Sequence, residues 1–144
     1  MKAKFNIKNY TTEVPADRSI LEIEKLLTLF GASAIIKEYT SERVHSLTFR
    51  LQDETFRLPA NVKGVEKILF EGIRAQRDSE KRRADKAYRV SWRILKDWTH
   101  AQLSLIASGQ AHAMEIFLPY MYDGKTTLFQ KFMEGKLLTA KKEK

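Results

Sequence analysis

SAIIKEYTSERVHSLTFRLQDETFRL, residues 33–58, decides the fold. Ile35 and Ile36 sit in a strand-like segment at residues 33–39, and residues 44–51 alternate with Leu47, Phe49 and Leu51 on one side. A period of two is the signature of a strand with one buried face. Residues 55–58 repeat the pattern briefly with Phe56 and Leu58. The polar runs Thr40-Ser41-Glu42-Arg43 and Gln52-Asp53-Glu54 are too short for anything but turns. The stretch therefore predicts a three-stranded antiparallel meander, able to bury one face against a helix and keep the other wet.

Upstream, Ser19-x-x-Glu22 has capping-box spacing. Ile20, Ile23, Leu27 and Phe30 follow at helical intervals, and Gly31 stands where a left-handed C-cap belongs. The first ten residues alternate weakly through Phe5 and Ile7 and predict a short strand, broken at Pro15. Downstream, Asn61 caps a short helix through Val65, Ile68 and Leu69, and residues 72–78 form a polar connector. One long helix is expected over residues 79–107, ended by Gly109. A shorter helix over residues 111–122 is limited by Pro119, and a last one over 126–134 is closed by Gly135. Residues 141–144 form a frayed tail. The fold class is α+β: a small antiparallel sheet with a packed helix, then a helical C-terminal half dominated by one long helix. Residues 1–144 make one domain, with an α+β layer at 1–60 and a helical part at 61–144, since neither half alone offers a large core.

Composition narrows the chemistry. The 144 residues carry 26 Lys plus Arg against 18 Asp plus Glu, a formal net charge of +8, with 43% hydrophobic residues and no cysteine. A disulfide scaffold, a thiol nucleophile and a Cys-ligated zinc site are excluded. No apolar run approaches the roughly 18 residues of a membrane span, and no signal-peptide core is visible, so a cytoplasmic protein without membrane association is expected.

The long helix holds the candidate site. Arg82, Lys86, Arg89, Arg93, Lys96 and His100 recur at alternating intervals of four and three. They stay within a sector of roughly 80° and extend about 27 Å. Regularly spaced cations displace counterions from a polyanion, which makes these six residues the candidate nucleic-acid contacts. The plain alternative is the solvated face of an amphipathic helix, with Asp85 and Asp97 offsetting part of the charge. Two apolar rows, one through Tyr88, Trp92 and Leu95 and one through Val90, Ile94 and Leu105, give the helix two sides to pack. That width points to a homo-oligomer. Among the aromatics, Phe49, Phe56 and Trp92 read as core, while Tyr10 and Tyr39 read as exposed.

Other chemistry is thin. Gly124-Lys125-Thr126 resembles the end of a phosphate-binding loop, but Pro119 stands where the loop needs its first glycine. His112-x-x-Glu115 and Asp97-x-x-His100 pair ligand types without a third partner. No catalytic residues, metal ligands or cofactor are predicted.

Three segments carry a resemblance: FRLPANV at 56–62, WRILKDW at 92–98 followed by AQL at 101–103, and FLPYM at 117–121 followed by TLF at 127–129. They resemble a family of small proteins of phages and prophages of Gram-positive bacteria, a family that brings no catalytic residues with it. The resemblance implies expression in the cytoplasm of an infected bacterial host. A meander flanked by helices also shares its element order with double-stranded-RNA-binding domains. The expected function is a phage-encoded, non-enzymatic nucleic-acid-binding protein acting on single strands in replication or recombination. The alternative is an anti-defence or host-takeover protein that binds a host protein complex or a signalling nucleotide.

Overall fold

The computed structural model describes residues 5–71 and 79–135; the expected connector at 72–78 and the tail at 141–144 lie outside them. In order come α1 (Ala16–Leu29), β1 (Ala34–Thr40), β2 (Arg43–Leu51), β3 (Glu54–Pro59), α2 (Val62–Leu69), α3 (Glu80–Ala107), α4 (Ala113–Phe117) with a 3₁₀ turn at Leu118–Tyr120, and α5 (Leu128–Met133). The class is α+β, with a three-stranded antiparallel sheet in the order β1-β2-β3 and a long helix in the second half. Two compact units interleave along the chain. One holds Met1–Leu26 and Ala60–Ala101; the other holds Leu27–Pro59 and Gln102–Lys144.

In the second unit the meander forms as its alternation dictates. Leu47 and Phe49 of β2 face Leu58 and Phe56 of β3 across the ladder, and all four are buried. Phe117 of α4 completes an aromatic trio with Phe49 and Phe56, the ring centroids lying 5.4 to 5.6 Å apart. Both hairpins close through two residues, Ser41-Glu42 and Gln52-Asp53, all at positive φ. That backbone matches the strand twist, but it costs side-chain-bearing residues some strain. The outer edge of β3 is covered where Phe56 bridges Met121 and the Tyr122 amide donates to the Thr55 carbonyl at 2.8 Å.

Helix ends follow local chemistry. The Asn61 side chain accepts from the Gly64 amide at 3.0 Å. A Cβ on Gly64 would lie 2.6 Å from Asn61 Nδ2, so glycine keeps room for the cap. Ser79 Oγ accepts from the Arg82 amide at the start of α3. α1 ends as expected: Gly31 has φ 103 and the Ala32 amide reaches back to the Leu27 carbonyl.

Three expectations are corrected. Residues 5–10 are not a strand; residues 8–11 turn, with Asn9 at φ 64, and the Asn9 side chain donates to Asp97 of α3 at 2.8 Å. α1 begins at Ala16 rather than at Ser19, because the Pro15 carbonyl accepts the Arg18 and Ser19 amides. Ser19 is thereby fully buried inside the helix. The helix expected over 111–122 covers only Ala113–Phe117 before Pro119 tightens the chain into a 3₁₀ turn.

Candidate nucleic-acid interface

α3 presents the stripe because its other side is committed to the core. Ala87, Val90 and Trp92 are fully buried, and the Ser91 and Thr99 hydroxyls are satisfied by the carbonyls of Ala87 and Leu95 one turn back. Helical geometry then turns the basic positions toward α1, α2 and solvent.

The six predicted residues do not share one environment. Arg93 donates through Nη1 to Glu22 of α1 at 2.7 Å, and Lys96 Nζ lies 3.9 Å from the same carboxylate and 3.7 Å from Asp97. Arg18 also reaches Glu22, at 3.5 Å, while Lys8 and Asn9 close on Asp97 at 3.5 and 2.8 Å. Burial pushes the Asp97 carboxyl up, but the Asn9 hydrogen bond and the charges of Lys8, Lys96 and Arg93 outweigh it and hold Asp97 below the usual carboxylate range. Arg93 and Lys96 therefore serve the junction between α1, the N-terminal turn and α3. His100 is exposed near the far end of the stripe.

Arg82, Lys86 and Arg89 are the members that the structure brings together around a cavity. They line a recess of about 500 Å³ with Thr11, Glu13, Phe70 and Asp85. Arg89 Nε is buried and has no hydrogen-bond partner among the described residues. The Lys86 ammonium lies 5.8 Å from the Phe70 ring centroid. A second recess of about 390 Å³ is lined by Lys63, Glu66, Lys67, Phe70, Glu80 and Arg83. Phe70 belongs to both.

Sequence reasoning missed Phe70, Lys63, Lys67 and Arg83. The signal was present but faint: Lys63 and Lys67 are one helical turn apart on α2, and Phe70 is the first residue past its end. Among the aromatics singled out earlier, Phe49, Phe56 and Trp92 are buried, while Phe5, Tyr10 and Tyr39 are exposed.

The remaining motifs resolve into local structure. His112 and Glu115 form a capping box on α4: the His112 ring nitrogen accepts from the Met114 amide, and the Glu115 carboxylate accepts from the His112 amide. Gly124, Lys125 and Thr126 lie in a turn where Asp123 accepts from the Lys125 and Thr126 amides at 2.8 and 2.9 Å. The Lys131 ammonium at 2.7 Å, followed by those two amides, holds the Asp123 carboxyl far below its ordinary range. Among the described residues no group of three or more His, Asp or Glu side chains is placed to hold a metal ion, and no helix is long and apolar enough to cross a membrane.

The second unit has its own polar cluster and recess. Glu38 accepts from Ser46 at 3.0 Å and from Arg57 at 3.1 Å, and the Arg57 guanidinium lies 5.3 Å from the Tyr122 ring centroid. Burial raises the Glu38 carboxyl, but those two donors prevail and keep it below its usual value. Beside this cluster lies a mostly apolar recess of about 430 Å³ lined by Arg57, Pro59, Pro119, Tyr120, Thr127, Phe129 and Gln130. Comparison with family models, with curated proteins and with solved structures returns no match.

Proposed function

We propose that this chain is a non-enzymatic nucleic-acid-binding protein that holds phosphates with Arg82, Lys86 and Arg89. The observation that carries this reading is the recess itself: three cations of one helix converge on a cavity, and the guanidinium of one has a buried N–H with no partner among the described residues. An unsatisfied buried donor is costly, and a charge-assisted bond to a phosphate oxygen removes that cost. The whole-chain charge of +8 supports the same reading by favouring approach to a polyanion. A phage protein working in the cytoplasm of an infected bacterium is the setting that the sequence resemblance implies.

The test is a titration of labelled single-stranded and duplex DNA and RNA at low and moderate salt. Binding should weaken as salt rises, and Arg89→Ala should lower affinity and reduce the salt slope by about 0.7 on a single strand. Absence of binding even at low salt overturns the proposal.

One observation favours a second reading, an interaction protein aimed at a host complex. The apolar recess of the second unit stands beside the exposed side chains of Leu118 and Phe129, with Phe132 and Met133 also exposed on α5. Exposed apolar side chains next to an apolar recess suit a protein partner or a second copy of the chain. Capture of one defined host protein after nuclease treatment, lost on Phe129→Asp, supports it; a concentration-independent monomer with no such capture removes it.

A further inference from the structure

Phe70 stands at the end of α2, where its backbone amide closes on the Glu66 carbonyl, and its side chain lines both basic recesses of the first unit. Each recess has three cations and two carboxylates: Arg82, Lys86 and Arg89 with Glu13 and Asp85, then Lys63, Lys67 and Arg83 with Glu66 and Glu80. A surplus of one charge per recess is a thin basis for holding a polyanion by electrostatics alone. The ring supplies what the charges lack. We propose that Phe70 is a stacking platform for an unpaired nucleobase, with flanking phosphates of the same strand held in the two recesses. The inference rests on the nucleic-acid reading above and names its substrate class as single strands.

Three physical points support it. An aromatic ring offers every base an apolar face, and stacking on such rings next to cation-lined grooves is how single strands are held without sequence preference. The bases of a duplex are stacked on one another and present only their edges in the grooves, so a ring at the junction of two phosphate sites has no counterpart there. The Lys86 ammonium already lies 5.8 Å from the ring centroid, so the cation that would meet a phosphate and the ring that would meet a base are neighbours before anything binds. Both recesses also fall within the volume range of small-molecule sites, about 300 to 1,000 Å³.

The experiment uses the full chain and four probes: dT and rU oligomers of about 12 nucleotides, within the usual single-strand site size, an abasic strand of equal length, and the matching duplex. Phe70→Leu should weaken binding of the base-bearing oligomers by about 5- to 100-fold. It should leave affinity for the abasic strand and the salt slope unchanged, because the phosphate contacts are untouched. Equal loss on abasic and base-bearing strands, no loss on either, or preference for the duplex overturns the stacking proposal. If Arg89→Ala still lowers affinity in that case, the broader reading survives. Wild-type protein that binds none of the probes at low salt overturns both. Phe70→Trp keeps a ring and covers the case in which Phe70→Leu does not fold. Its emission should be quenched by the dT oligomer and not by the abasic strand, and unchanged emission at saturating dT refutes the stack.

Discussion

Glu22 offers the sharpest test of how the stripe is divided, because one carboxylate holds Arg93 at 2.7 Å and Lys96 at 3.9 Å. The perturbation is a double-mutant cycle of Glu22→Ala and Arg93→Ala. Both positions lie inside helices, α1 and α3, so alanine brings no loss of helix propensity. The magnitude follows from geometry and exposure. A short hydrogen bond between charged groups contributes about 1.5–3 kcal/mol when buried, and a fully exposed pair about 0.2–1 kcal/mol. The Arg93 and Glu22 side chains are 21% and 30% exposed, which places their coupling between those limits, at about 1–1.5 kcal/mol. Urea denaturation of the four proteins measures it, since the cycle removes the separate cost of leaving either partner alone. On the nucleic-acid reading, Glu22→Ala has a second consequence: Arg93 loses its carboxylate and becomes available to phosphate, while Lys96 keeps Asp97 at 3.7 Å. Single-strand binding should then tighten while stability falls, and the salt slope should steepen by up to about 0.7 per added contact. Coupling below about 0.3 kcal/mol, within the additivity of independent sites, would show that the pair does not hold the helices together. An unchanged salt slope would show that Arg93 does not reach nucleic acid even when released.

Phe117→Ala empties the middle of the aromatic trio, where the ring is fully buried, and should cost about 3–5 kcal/mol in a denaturant titration; a loss under about 1 kcal/mol would mean that the α4–sheet contact is not formed. Asp53→Gly relieves a left-handed φ of 64 at the second turn residue, so the thermal midpoint should rise, whereas a fall would refute the hairpin geometry. Asp97 and Glu38 both have lowered folded values, so the stability they contribute is complete above the unfolded values of about 4 and is lost as pH falls through the lower folded ones. Asn9→Ala should therefore cost more stability near neutral pH than at about pH 2, and an equal cost at both would argue against an ionised Asp97 as the acceptor.

Local pattern was enough at several element ends. Ser79 and Asn61 each accept an amide three residues ahead, and Gly31 turns the chain left-handed one residue beyond Phe30. The meander was legible because Leu47, Phe49 and Leu51 alternate and only two residues separate each pair of strands. Two readings fail for different reasons, one distant and one local. Residues 5–10 alternate like a strand, yet Asn9 turns the chain because its amide bonds Asp97, 88 positions away. Pro15 looks like a breaker, but its carbonyl starts α1, and the Ser19 side chain that resembled a cap is buried instead.

The candidate site divides in the same way. That Arg82, Lys86, Arg89, Arg93, Lys96 and His100 share one face of a helix was determined by the sequence, since a rotation of 100° per residue follows from backbone geometry alone. Which of those cations meets a carboxylate was decided by the tertiary structure. Glu22 lies 71 positions from Arg93, and no periodicity within α3 refers to it. Phe70 likewise became part of two basic recesses only when α2 and α3 came together. Spacing specifies direction around one axis; the opposing charge or ring comes from another segment, and its position is set by burial of the apolar faces that bring the segments into contact.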